Sequence, residues 1–419
     1  MKLTRRVRSF WMASAVLLPA LALSAVPIEV LHWWTSGGEA KSIALLKQMM
    51  EKQGFDWKDF AVAGGAGENA MTVLKTRVVS GHPPASAQIK GPAIQEWAAM
   101  GVLTPLDDVA KAESWGKLLP PVVQKTMQYK GNYVAVPVNV HRVNWLWVNP
   151  AVFKKADAKI PTTWDEFVTS AQKIQKAGFL PVAHGGQAWQ DATVFEAIVL
   201  GVGGTSLYQR AFVDLDPKVG EDPKMQKAFE AFRTYQSFTD KNNSGRDWNL
   251  ATAMVIEGKA AMQIMGDWAK GEFTNAGKKP GVDFQCVPVP GTQEDYTFNI
   301  DSFVMFKQSD PQMKKAQDTL AKMILNPEFQ TTFNVNKGSI PVRTDLPKSK
   351  FDACGQRSMS EFMASSKHGT LLPSMAHNMS ASSKAQGAMF DVITQYFNSN
   401  QSPKEAATAF ANALKSARL

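Results

Sequence analysis

Between residues 28 and 100, short apolar runs of strand length alternate three times with stretches of helical spacing. An apolar run predicts a strand over 28–33, and Ile43, Leu46 and Met50 give 38–53 one helical face. A second strand is expected at 60–63, a helix at 69–79, a third strand at 85–89 and a helix at 92–100, opened by Pro92. This β-α-β-α-β-α rhythm implies a mainly parallel sheet covered by helices. Extended segments recur at 131–140, 143–148, 284–290 and 299–306. Helices are expected from Thr163, where Thr163-Trp164-Asp165-Glu166 has the chemistry of an N-terminal cap, and over 311–325, 328–334, 385–397 and 403–416. The chain shows no internal repeat and no low-complexity linker. The pattern is that of an α/β protein with two lobes joined by short crossings.

Length sets the scale. With 419 residues, 44% of them hydrophobic and 20% charged, the chain has material for two to three domains with cores of their own. A mean hydropathy of −0.21 excludes a disordered chain and a polytopic membrane protein. Twelve Trp and 23 Phe exceed what the cores require and point to aromatic surfaces with a task. The formal charge is +9, and Lys2, Arg5, Arg6 and Arg8 carry four of those charges, leaving +5. The rest are scattered among Glu and Asp as on a solvated face, not gathered as a nucleic-acid footprint.

Those four basic residues precede an apolar run over 10–23 and small-residue sites at Ala20-Leu21-Ala22 and Ala25, the grammar of a signal peptide over 1–25. The run is shorter than the roughly 20 residues of a spanning helix. An exported protein, periplasmic and without a membrane span in its mature form, is the expectation. In an oxidising compartment Cys286 and Cys354, 68 positions apart, are free to pair. A structural bridge and two buried thiols both fit, and neither cysteine has an activating context.

Open α/β sheets bind ligands beyond the carboxyl ends of their strands. Three features fall there: Trp33-Trp34-Thr35-Ser36-Gly37-Gly38-Glu39 after the first strand, Gly64-Gly65-Ala66-Gly67 after the second, and Lys90 after the third. Successive strand side chains alternate, so two adjacent Trp cannot both enter one core, and at least one faces a cleft. Gly65-Ala66-Gly67-Glu68-Asn69-Ala70 spells G-x-G-x-x-A but follows the wrong strand, with Lys90 where a dinucleotide site needs an acid. It reads as a turn with a close helix approach. His184-Gly185-Gly186 lacks a nucleophile elbow and reads as a turn. The six His are far apart and form no metal-ligand pair on one helix, so neither metal nor cofactor is expected. A secreted glycosidase needs only two carboxylates, and Glu39 with Asp301 is the pair that would serve.

The order of several stretches resembles the extracellular solute-binding proteins of family 1, the capture components of ABC importers, and within it the periplasmic glucose/mannose-binding group. They are Val30-Leu31-His32-Trp33-Trp34-Thr35 with Gly38-Glu39; Trp97 through Gly101-Val102-Leu103 to Pro105-Leu106-Asp107; and Tyr133-Ala135-Val136-Pro137 before Asn144-Trp145-Leu146-Trp147-Val148-Asn149. Further on come Pro161-Thr162-Thr163-Trp164-Asp165-Glu166-Phe167, Gly258-Lys259-Ala260-Ala261-Met262 with Gly266-Asp267-Trp268, Asn326-Pro327-Glu328-Phe329-Gln330, and Lys337-Gly338-Ser339-Ile340-Pro341.

The resemblance implies a type II periplasmic-binding fold: an N-lobe over 26–139 with 303–350 returning to it, and a C-lobe over 140–302 with 351–419. The ligand is enclosed between them as they close about a hinge. It implies sugar contacts at Trp33, Trp34, Glu39 and Lys90, at Trp248 or Trp268 from the second lobe, at Asp301 with Asn299 sharing its role, and at Lys337 and His377. It implies no catalysis, a monomer, glucose or else mannose as ligand, and a membrane permease as partner. A longer sugar or a polyol is the alternative within the family. The residue types suit a pyranose: indoles cover its apolar C–H faces, carboxylates accept from its hydroxyls and ammonium groups donate to them.

Overall fold

The computed structural model describes residues 25–418, so the expected signal peptide lies, Ala25 apart, outside the described residues. A central strand, Tyr296–Met305, organises the larger of two main sheets. All ten of its residues are buried, and Thr297, Asn299, Asp301 and Ser302 interrupt an otherwise apolar run. The sheet runs Ile340–Pro341, Ala135–Arg142, Tyr296–Met305, Ser86–Ile89, Val26–His32, Phe55–Ala61, with Leu371–Pro373 added to one end of the central strand. The first three strands of the chain pair in parallel, as the helical crossovers between them require. The central strand is antiparallel to both long neighbours. The sheet is therefore mixed, a correction to the mainly parallel expectation. The chain arrives at Tyr296 from the other lobe, not through a helix packed on the same sheet, and nothing imposes parallel entry.

The second strand also lies earlier than expected, at Phe55–Ala61, with Phe55 and Trp57 buried and Asp56 and Lys58 less so. The apolar run 60–63 pointed to the strand's end because the alternation before it carries three charges.

Four strands, Gln285–Pro288, Trp145–Val148, Ala260–Ile264 and Leu180–Val182, form the second sheet. Each sheet has its own hydrophobic core. One draws on residues 28–140 and 296–342 with Phe362 and Met379, the other on 143–289 and 372–414 with Cys354. In the second, the helix Ala188–Tyr208 is buried nearly all round, which removes the amphipathic signature that would expose it in sequence.

The chain crosses between the cores near Val143, before Tyr296 and after Val342. Arg142 ties the first two crossings together. Its fully buried guanidinium donates to the Asp295 carbonyl (3.0 Å) and to Asn144 Oδ1 (3.2 Å), pairs with Glu361, and stacks over Trp145 and Tyr296. Cys286 and Cys354 are joined as a disulfide. It fastens an edge strand of the smaller sheet to the start of the helix Ala353–His368, which carries Glu361. Among the described residues no helix is long and apolar enough to cross a membrane.

Candidate functional site

Between the two lobes lies a cavity of about 230 Å³, and all ten residues singled out in sequence line it. The first lobe contributes Trp33, Trp34, Glu39, Lys90 and Lys337, and also Asn299 and Asp301, because the strand Tyr296–Met305 packs in the first core and not in the second lobe, to which the expected boundary 140–302 assigns it. The second contributes Trp248, Trp268 and His377.

The two indoles after the first strand divide their work. Trp34 packs against Phe303 (5.6 Å, edge-on) and Phe333 (5.1 Å) in the first core and shows the cavity only a margin. Trp33 stays half-buried at the wall, with the Lys90 ammonium 5.2 Å from its ring. Its back rests on Gly67, at φ +107°, where a Cβ would stand 3.0 Å from the indole. That close approach of the indole, and not of a helix as the turn reading expects, is the reason for glycine here.

Glu39 and Lys337 form a buried ion pair at 2.6 Å. Glu39 sits in the first turn of the helix Gly37–Lys52, where its other oxygen accepts from the backbone N–H groups of Thr35 (3.2 Å) and Ser36 (3.3 Å). Lys337 ends the helix Pro327–Lys337. An acid at a helix start and a base at a helix end are each favoured by the axial dipole. Gly338 follows at φ +92°, and a side chain there would overlap the Asp267 carbonyl of the second lobe, so both the helix end and the close approach call for glycine.

Asn299 and Asp301 are two apart on the central strand and so face the same way. Opposite them on Ala135–Arg142 stand His141 and Asn139. The strand register shifts immediately after Asp301, a bulge of the kind that re-aims side chains at sites. Asn299 Oδ1 is buried and accepts no hydrogen bond within the protein, so an acceptor is left for a ligand. Asp301 accepts from His141 Nε2 (3.0 Å), while His141 Nδ1 meets Asp267 of the second lobe. Burial by itself would raise the Asp301 pKa, but the hydrogen bond and charge of His141, then Lys90 and Lys337, hold it well below the carboxylate range. Burial opposes a charge on His141, yet Asp267 and Asp301 outweigh it and the pKa rises. Burial pushes Lys90 down to about 8, with Asp301 opposing. The cavity is thus lined by charged groups of both signs.

Across the cavity, Trp268 lies edge-on to His141 (5.1 Å) and to His377 (4.7 Å). Gly266 makes room for its ring. His377 Nε2 lies 3.1 Å from the Thr193 hydroxyl, and burial, then the nearby Lys90 and His141 charges, keep it neutral. Trp248 opens the helix Trp248–Ile256 behind Asp247, which accepts from Gln187 Nε2 (2.6 Å). Gln187 in turn accepts from the Trp189 indole N–H (2.7 Å).

Sequence reasoning missed His141, Gln187, Trp189, Asp247 and Asn249, all of which line the cavity. His141 had one legible signal: a polar residue in an apolar strand. Trp189 had none, since its helix is buried on nearly every side and shows no amphipathic face.

The sign of the pH dependence follows from these shifts. A raised His141 contributes stability that is present below 6.5 and is lost as pH climbs through its folded value, whereas the depressed Asp301 contributes stability above 3.8 that is lost on acidification. Unfolding free energy measured against pH is therefore expected to decline on the alkaline side of 6.5. His141→Gln should flatten that decline; an unchanged profile in the variant removes His141 from the ionic bridge.

Two cores, three crossings and an enclosed polar cavity between them define a two-lobed solute-capture protein. The chain belongs to the bacterial extracellular solute-binding proteins, whose family model matches residues 41–330. A probable sugar-binding periplasmic protein of Rhizobium meliloti is 47% identical over 406 residues, spanning 97% of this chain and 98% of the relative. A protein of Brucella suis with the same description is 48% identical over 391 residues, 93% of this chain and 92% of the relative. Among solved structures, the bacterial solute receptor AcbH, described as preferring β-D-galactopyranose, superposes with a TM-score of 0.78 at 19% identity, covering 94% of this chain and 98% of the receptor.

Proposed function

We propose that this protein is a periplasmic, monomeric receptor that captures a monosaccharide, D-glucose first and D-mannose second, and delivers it to the membrane permease of an ABC importer. One observation carries the reading: a cavity of about 230 Å³ walled by Trp33, Trp34, Trp189, Trp248 and Trp268 and rimmed by Glu39, Lys90, Asp301 and Lys337. Its size falls below the roughly 300–1,000 Å³ of pockets for drug-sized ligands, which favours a single ring. Indoles offer flat apolar contact, and charged partners roughly double the strength of a neutral hydrogen bond. The relatives named as sugar-binding periplasmic proteins support both the ligand class and the compartment.

No bond is broken in this mechanism. The lobes close about the crossings, and the ligand stabilises the closed form by its differential affinity. A glycosidase needs one carboxyl kept protonated, and the partners of the two candidates favour capture instead. Glu39 is committed to Lys337 and two backbone N–H groups, and Asp301 is held ionised by His141.

Calorimetric titration against hexoses and disaccharides tests the reading. D-glucose is expected to bind one to one and to shift the tryptophan emission. A response to an oligosaccharide with none to any hexose overturns the monosaccharide assignment, and silence towards every saccharide overturns sugar capture. A disaccharide receptor is the second reading. It draws on an adjoining cavity of about 210 Å³ that shares Trp33, Ala66, Lys90 and Trp189 with the first, and it requires a disaccharide to outbind its own monomer.

A further inference from the structure

Glu196 lies outside the cleft, fully buried on the helix Ala188–Tyr208, and has no cationic partner among the described residues. Its carboxylate instead collects four neutral donors: Ser374 Oγ (2.6 Å), the backbone N–H groups of Met375 (2.7 Å) and Ala376 (3.0 Å), and the Tyr208 hydroxyl (3.2 Å). A lone buried carboxylate is costly, so a group that merely filled the gap between helix and loop would be apolar. Three of the four donors belong to the residues immediately before His377. The His377 N–H itself donates to Ser374 Oγ (3.2 Å), and its ring meets Thr193, one turn before Glu196 on the same helix. One carboxylate therefore shapes the whole segment that brings this ring into the cleft.

We propose that Glu196 is a positioning residue for ligand capture: its carboxylate folds the segment Ser374–Ala376 so that His377 meets the bound sugar in register with Trp268. This rests on the sugar-capture reading above. Burial pushes Glu196 up to about 7, against the pull of its four donors. Its contribution therefore changes within the neutral range. Tyr208 is the titratable group that faces it, on its own helix; the segment 374–376 packed against it presents only a hydroxyl and amides, with neutral His377 just beyond. Protonation turns one acceptor oxygen into a donor aimed at donors.

The test is Glu196→Gln in the full-length protein, with affinity measured for the hexose that the wild type binds best. Loss of a charged acceptor for these donors is expected to weaken binding about tenfold. The wild-type affinity should fall on acidification through about pH 7, and the variant should lack that step. In a His377→Ala background the same substitution should add little, because it acts through that ring. Near-normal affinity with an unchanged pH profile, or full additivity with His377→Ala, overturns the proposal. Should Glu196→Gln fail to fold, Ser374→Ala removes the shortest donor and enters the same cycle with the same two outcomes. The ligand-free protein supplies an independent readout. The His377 ring-proton resonance, set by Trp268 at 4.7 Å and Trp189 at 5.7 Å, should move with an inflection near pH 7 in the wild type; in Glu196→Gln that component should vanish, leaving only what Lys90 and His141 contribute. If no saccharide binds, the function reading fails, and this resonance still decides the positioning role.

Discussion

Lys337→Ala is expected to cost the protein both binding and stability, and the two losses separate in a second variant. The ammonium is 3% exposed and lies 2.6 Å from Glu39. Its removal strands a buried carboxylate, and breaking a buried pair from one side typically costs 3–5 kcal/mol. Glu39 keeps two backbone donors, which places the expected loss near the lower end, about 3 kcal/mol. Binding should weaken at least tenfold, because a charged donor to a sugar hydroxyl contributes about 1.5–3 kcal/mol. Replacing both partners, Glu39→Gln with Lys337→Met, leaves no lone charge. That variant should recover most of the stability in denaturant unfolding while its calorimetric affinity stays low. Recovery of both together would make the pair a structural strut and remove it from the site.

The second large effect concerns the bridge between Cys286 and Cys354. It closes 68 positions of chain, and in the chain-entropy model a loop of that length is worth about 4 kcal/mol. Cys286→Ala with Cys354→Ala should move the denaturation midpoint down accordingly, and a reducing agent should do the same to the wild type. Sugar affinity should change much less, since neither cysteine lines the cavity. The bond anchors the helix Ala353–His368, whose Glu361 meets Arg142 at the crossing. A large loss of affinity at full stability would show that the bridge sets the angle of the lobes instead of holding the returning chain. A midpoint that does not move would dispose of the stabilising role.

Local chemistry made much of this legible in advance. Three strand–helix alternations defined the α/β class, since strand and helix periods are properties of neighbouring residues. The cap at Thr163 appears as written, with Thr163 accepting from the Glu166 N–H and Glu166 from the Thr163 N–H. Trp33, Trp34 and Lys90 could be placed because a parallel strand delivers whatever follows it to one end of the sheet. Glu39 and Asp301 stood out as a possible carboxylate pair, and the family resemblance supplied the remaining five of the ten residues, Lys337 and His377 among them.

Tertiary structure alone decided the rest. That Glu39 and Lys337, 298 positions apart, form one pair depends on two helix ends meeting, which no local pattern records. The direction of the strand Tyr296–Met305 was settled by the lobe from which the chain arrives. His141 stood out in sequence only as a polar residue in an apolar strand, and its role, like those proposed for Trp189 and Glu196, was hidden for one shared reason: each is defined by partners from another part of the chain, and a polar group's worth in a protein interior is set by those partners. Sequence determined which chemistry was present and at which strand ends it emerged; packing determined which charges face each other, and so which of them are left for a ligand.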